Sequence, residues 1–80
     1  MLPIIWTEDA AKDLEQIVDY IAEQNPAAAL KLGQRIKESV LPLANFPYLF
    51  RESERMHGYR EIVVRTNYIV FYRVLTNSIQ

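Results

Sequence analysis

The sequence predicts a small α+β domain, a helical hairpin packed on an antiparallel sheet, and three observations carry that prediction. Apolar residues recur at spacings of three and four through residues 10–21 and again through 29–43, the repeat of a single buried helical stripe. Asn25-Pro26 falls between the two stripes, where proline disfavours a helical residue before it but suits the first position of a new helix. Beyond Gly58 the period changes. Tyr59–Arg65 and Tyr68–Leu75 are rich in the β-branched and aromatic residues that half-buried strands favour. The expected order is β-α-α-β-β-β, within one domain spanning residues 1–80.

Taken in order, Leu2–Trp6 is a short apolar run that reads as a strand, with Pro3 suited to its edge or first position. Thr7 then caps the first helix, and Glu8 and Asp9 lie where the helix dipole favours negative charge. The stripe of that helix is Ala10, Leu14, Ile17, Val18 and Ile21; that of the second is Ala29, Leu32, Ile36, Val40 and Leu43. Pro42 should stop or kink the second helix near Leu41. A loop follows, with a short strand near Leu49–Arg51 and a turn at His57-Gly58. Thr66-Asn67 joins the last two long strands as a hairpin, and Thr76–Ser78 turns into a strand at Ile79-Gln80 that the sequence leaves incomplete. An unfinished strand leaves a sheet edge for a partner to cover, unless the chain is a shortened form of a longer protein.

Composition narrows the function classes. Eighty residues bury only about 60% of their unfolded surface, and with no cysteine there is no disulfide or thiolate metal site to compensate. His57 is the one histidine, so no metal is expected, and no glycine-rich phosphate loop or nucleophile motif calls for a cofactor. The apolar runs are too short to span a bilayer and the N-terminus lacks a signal-peptide layout, so a soluble, cytoplasmic protein is expected. A net charge of −1 argues against a protein that grips nucleic-acid phosphates, and no direct DNA binding is expected. The charge is unevenly spread. Residues 1–25 carry six acids against Lys12, whereas residues 26–80 carry eight bases against four acids. A partner touching only the later part can therefore be acidic.

Arg51 and Arg55 alternate with Glu52 and Glu54 and read as a solvated, self-compensating loop. Trp6, Tyr20 and Phe46 read as core or groove-lining aromatics. If Arg65 faces Tyr68 across the hairpin, strand alternation puts Tyr59, Glu61, Val63, Val70 and Tyr72 on one face and Arg60, Ile62, Val64, Ile69, Phe71 and Arg73 on the other. Pattern alone leaves open which face meets the helices.

A set of motifs along nearly the whole chain is specific as an ordered group: Trp6-Thr7, the Ala11-x-x-Leu14-x-x-Ile17-x-x-Tyr20 helix, Asn25-Pro26-x-Ala28-Ala29, Arg60-Glu61, and Tyr68-Ile69-Val70-Phe71-Tyr72-Arg73-Val74. In these the chain resembles the RelE/ParE family of type II toxins, and specifically its ParE branch. The resemblance implies a toxin that a cognate antitoxin silences in a hetero-oligomer, the antitoxin contributing an acidic, partly disordered segment. ParE-like toxins inhibit DNA gyrase by binding it; RelE-like ones cleave mRNA on the ribosome. The family normally continues into a last strand with a His or Tyr near its end, which this chain lacks.

By that resemblance the Arg60/Ile62 face is the open one, where RelE-like enzymes hold catalytic cations. Cleavage requires a base for the ribose 2′-hydroxyl and cations for the crowded phosphorane. This chain keeps Arg60 but places Ile62 and Ile69 where cations would stand, and isoleucine can serve neither purpose. No catalytic residues are therefore expected. The alternative is an endoribonuclease using Arg60, Glu61, Arg65 and His57, although Glu61 and Arg65 read more simply as strand residues pairing with each other or with Tyr68 and Tyr72. A third reading is a non-toxic module that only binds antitoxin. On the first, an antitoxin covers Ile62, Ile69 and Phe71 and sets an acid near Arg60 or Arg73, two arginines expected directly opposite each other, where like charges repel.

Overall fold

Two helices and a β-hairpin form the regular structure of the computed structural model, which describes residues 1–65 and 68–80, with Arg65 defined by its backbone. Helix α1 covers Glu8–Ala22 and helix α2 covers Pro26–Ser39. Thr7 and Asn25 start them by the same device: Thr7 Oγ1 accepts from the Ala10 N–H and Asn25 Oδ1 from the Ala28 N–H, both at 3.1 Å. Each satisfies a backbone donor that the first helical turn leaves without a partner. Both helices begin where the sequence places them.

The second helix ends earlier than Pro42 alone suggests. It closes at Ser39, and Leu41–Ala44 tightens into a 3-10 turn that contains the proline. That turn carries the apolar stripe past the helix end, so Ala29, Leu32, Ile36, Val40 and Leu43 are all buried, as expected. Gly33 lies on the α1-facing side. A β-carbon there would sit 3.3 Å from Val18 Cγ2, so the missing side chain lets the two helices approach.

The hairpin consists of β1, Arg60–Arg65, and β2, Tyr68–Tyr72, antiparallel. The turn expected at Thr66-Asn67 lies outside the described residues. The other three expected strands, Leu2–Trp6, the one near Leu49–Arg51 and the one begun at Ile79-Gln80, shrink to single rungs. Ile4 pairs with Ile79 in parallel, Ile79 pairs with Val74, and Glu52 pairs with Arg60. Within Leu2–Trp6, Ile5 donates to Ile79 and Pro3 only accepts, so one ring of bonds forms and no strand propagates from it. Ile79 itself is fully buried between these neighbours.

Register is where the sequence reading fails. Arg65 does face Tyr68, but a bulge between Val63 and Arg65 then pairs Val63 with Ile69, Ile62 with Val70, Glu61 with Phe71 and Arg60 with Tyr72. One extra residue in one strand exchanges its two faces relative to the partner. Arg60 therefore does not face Arg73. Ile62 joins Tyr72, Val40, Leu43 and Ile79 in the core, at 4% exposure, and is not on an open face with Ile69 and Phe71.

Candidate functional site

Helix α1 is amphipathic yet has no buried residue. Leu14, Ile17, Val18 and Ile21 are half-buried, because α1 packs on α2 and α2 on β1, with no comparable contact from α1 to the sheet among the described residues. A groove of about 540 Å³ remains between α1 and β2. Leu14 and Ile17 line one wall and Ile69 and Phe71 the other, with Trp6, Asp13, Tyr59 and Arg73 among the remaining lining residues. A second concavity of about 400 Å³ lies between α1 and α2, lined by Trp6, Leu14, Val18 and Leu30.

Ile69, Phe71 and Arg73 of the expected binding set thus share one groove, while Ile62 is sealed in the core and Arg60 is not among the groove's lining. The groove residues missed in the sequence are those of α1. Their periodicity was visible, but it reads as an ordinary buried stripe unless the shortfall in packing partners is known. Trp6 lines the groove as expected; Tyr20 and Phe46, also expected in the core or a groove, are largely exposed instead.

The loop before β1 is organised around Glu61. Its side chain is only 2% exposed, and both oxygens are occupied: Oε1 lies 3.2 Å from Arg51 Nη2 and Oε2 lies 2.8 Å from Arg55 Nη1. Arg51 and Arg55 therefore do not compensate Glu52 and Glu54 in solvent, as their alternation suggested. Both side chains stay mostly exposed and bring only their guanidinium tips to Glu61, where a buried carboxylate without cations is costly. Glu61 does not pair with Tyr68 or Tyr72 either, and the side chain of Arg65 lies outside the described residues.

Arg60 points under the 46–50 loop. Its Nη1 donates to the Phe50 carbonyl at 2.7 Å, and its guanidinium carbon lies 4.9 Å from the centre of the Tyr48 ring. Beside it, the buried Tyr72 hydroxyl donates to the Pro47 carbonyl at 2.9 Å. Burial pushes the Tyr72 phenol above its ordinary value, against a backbone hydrogen bond at Phe50 and the Arg60 charge, which pull it down. A cavity of about 280 Å³ joins Arg60 to His57, Tyr48, Tyr59 and Arg73. Of the four residues named for an endoribonuclease, this geometry brings Arg60 and His57 together and commits Glu61 to an ion-pair clamp. Among the described residues no group of three His, Asp or Glu stands close enough to hold a metal, and no helix is long and apolar enough to cross a membrane.

Comparison with known proteins finds toxins under both ParE and RelE names. Residues 4–80 match the model of a family described as the ParE toxin of the type II toxin–antitoxin system parDE. The chain is 35% identical over 74 residues to toxin RelE2 of Caulobacter vibrioides, covering 92% of this chain and 82% of that one. It also superposes with a TM-score of 0.85 on a chain of the chromosomal ParDE system from P. aeruginosa, at 33% identity, covering 100% of this chain and 89% of that one.

Proposed function

The chain belongs to the ParE toxin family of type II toxin–antitoxin systems, and we propose that it acts by binding and inhibiting DNA gyrase, without catalysis. Membership implies an antitoxin partner. The observation that carries the non-catalytic reading is the fate of the positions an endoribonuclease needs. Of the two cation positions that the resemblance names, Ile69 is an apolar groove wall and Ile62 is off the open face, in the core; both oxygens of Glu61 are bound by arginines. No side chain among these three is available to take a proton from a 2′-hydroxyl or to stabilise a phosphorane. The choice of gyrase rests on the ParE likeness.

The antitoxin's place in this reading is the α1–β2 groove. A segment folding there would cover Leu14, Ile17, Ile69 and Phe71, apolar surface that the chain itself leaves half-buried. It would present a carboxylate to Arg73, since an acid in that position gains a charge-assisted bond. The resulting toxin–antitoxin hetero-oligomer would reside in the cytoplasm, with no DNA contact by this chain.

A second reading keeps one observation in its favour: Arg60, His57 and Arg73 line one cavity, as a cationic site for a phosphodiester would require. The two readings separate in cells. When the chain is expressed alone in a bacterial host, gyrase inhibition stops incorporation of labelled thymidine before that of labelled amino acids. An mRNA-cleaving toxin reverses the order, and a non-toxic antitoxin-binding module changes neither.

A further inference from the structure

We propose that the cavity lined by Arg60 and Arg73, with Tyr48 of the Phe46–Leu49 turn in its wall, is a second docking site, which receives one carboxylate side chain of the toxin's protein target. The proposal rests on the reading that the chain acts by binding a protein, and it names the surface that does so.

The turn is held rigidly by its backbone while its side chains are left out. The Tyr72 hydroxyl fixes the Pro47 carbonyl, Arg60 fixes the Phe50 carbonyl, and the Leu49 N–H closes the turn on Phe46 at 3.1 Å. Yet Phe46, Tyr48 and Leu49 are 63%, 65% and 55% exposed. Ordering a loop costs conformational entropy that is normally recovered by packing its apolar side chains. Here the chain offers these three little to pack on. A backbone fixed in advance with aromatic and aliphatic side chains presented outward lowers the ordering cost of binding a partner, and tyrosine and arginine are the residues that most often anchor interfaces.

Charge then selects the partner. Arg60 and Arg73 each lie over a tyrosine ring, Tyr48 and Tyr59 respectively, and both line the same cavity. Arg73 makes no ion pair among the described residues. Arg60 has only Glu52, at 3.7 Å, whose side chain is 85% exposed. Glu61 is already taken by Arg51 and Arg55. Two cations with one loosely held counter-charge are complementary to a further carboxylate. A nucleic-acid backbone, with its run of phosphates, fits less well than a single carboxylate: the cavity offers two arginines with Glu52 already in its lining, and the net charge is −1. Arg73 and Tyr59 also line the α1–β2 groove, so a segment filling that groove reaches the border of this cavity.

The test uses the purified full-length chain with purified DNA gyrase and relaxed plasmid. Arg73→Glu and Leu49→Ser alter exposed side chains, so thermal melting should stay at the wild-type value. Each should raise the protein concentration for half-inhibition of supercoiling at least about ten-fold, the effect of removing one interface anchor. Lys31→Glu, an equal charge reversal on the exposed face of α2, should leave it unchanged. Wild-type inhibition that survives Arg73→Glu and Leu49→Ser overturns the docking site and leaves the gyrase reading intact. If the wild type leaves gyrase active, the gyrase reading falls and the same variants are scored by growth arrest in a bacterial host. Weakened arrest without mRNA cleavage supports the docking site for another target protein. Unchanged arrest, absence of arrest in the wild type, or mRNA cleavage that the variants abolish each overturns it.

Discussion

Glu61 and Tyr72 show how single residues of the hairpin help to hold the 47–55 loop. Each reaches out of β1 or β2 to the 47–55 segment, Glu61 through two guanidiniums and Tyr72 through one hydroxyl. Glu61→Gln keeps the shape but loses the charge, and hydrogen bonds to a charged partner contribute about 1.5–3 kcal/mol. It should lower stability within that range, and the denaturant midpoint is the quantity to measure; a value equal to wild type would mean the two arginines are merely solvated neighbours. Tyr72→Phe removes one neutral bond and should cost about 1 kcal/mol. It should also change the response to alkali. Because burial raises the Tyr72 phenol above 10.0, the fold favours its neutral form. That contribution is intact below the unfolded value of 10.0 and is lost as pH rises through the higher folded value. Wild type should therefore lose stability more steeply above pH 10 than Tyr72→Phe, and equal slopes would refute this.

Helices were legible at the level of elements because their signals are local. Thr7, Asn25 and Pro26 act within three residues of themselves, and they begin α1 and α2 as the sequence indicates. Thr7→Ala should cost about 1 kcal/mol of stability through loss of the cap, checked by thermal melting. The strands were legible in place but not in register. Nothing in Glu61–Arg65 marks a bulge, since Ile62, Val63 and Val64 suit either face equally, and the bulge alone decides that Ile62 is core and that Arg60 faces Tyr72. The Arg51–Glu61 and Arg55–Glu61 pairs were hidden for a related reason: a partner ten and six residues away depends on how a loop folds back. Gly33 offers a test of the interhelical contact. Leucine at that position has no room against Val18 and should push α1 away from α2, seen as a lower melting temperature and a weakened groove-binding partner.

The whole molecule is a sheet and a helix, α2, joined by a firm core, with α1 resting on α2 and a groove left beneath it. A chain this small has little surplus burial, and leaving the α1 stripe half-covered sacrifices part of it. The ParE family implies an antitoxin partner, and a segment of it bound in the groove, as proposed, would recover that burial. Membership in the family was legible from the ordered motifs, because they span the chain. The groove was not, because it arises from packing that α1 fails to make. Nor was the Arg60–Arg73 cavity as it stands, since the two arginines were expected opposite each other and instead lie over different tyrosines, Tyr48 and Tyr59, in the lining of one cavity. The most direct measurement is plasmid supercoiling by purified gyrase with the purified chain added, run beside translation of a reporter mRNA whose ends are mapped. A non-catalytic gyrase inhibitor abolishes supercoiling and leaves the message intact. Cleaved message with normal supercoiling would contradict it, and would mean that Arg60 and His57 perform ribonuclease chemistry without Glu61.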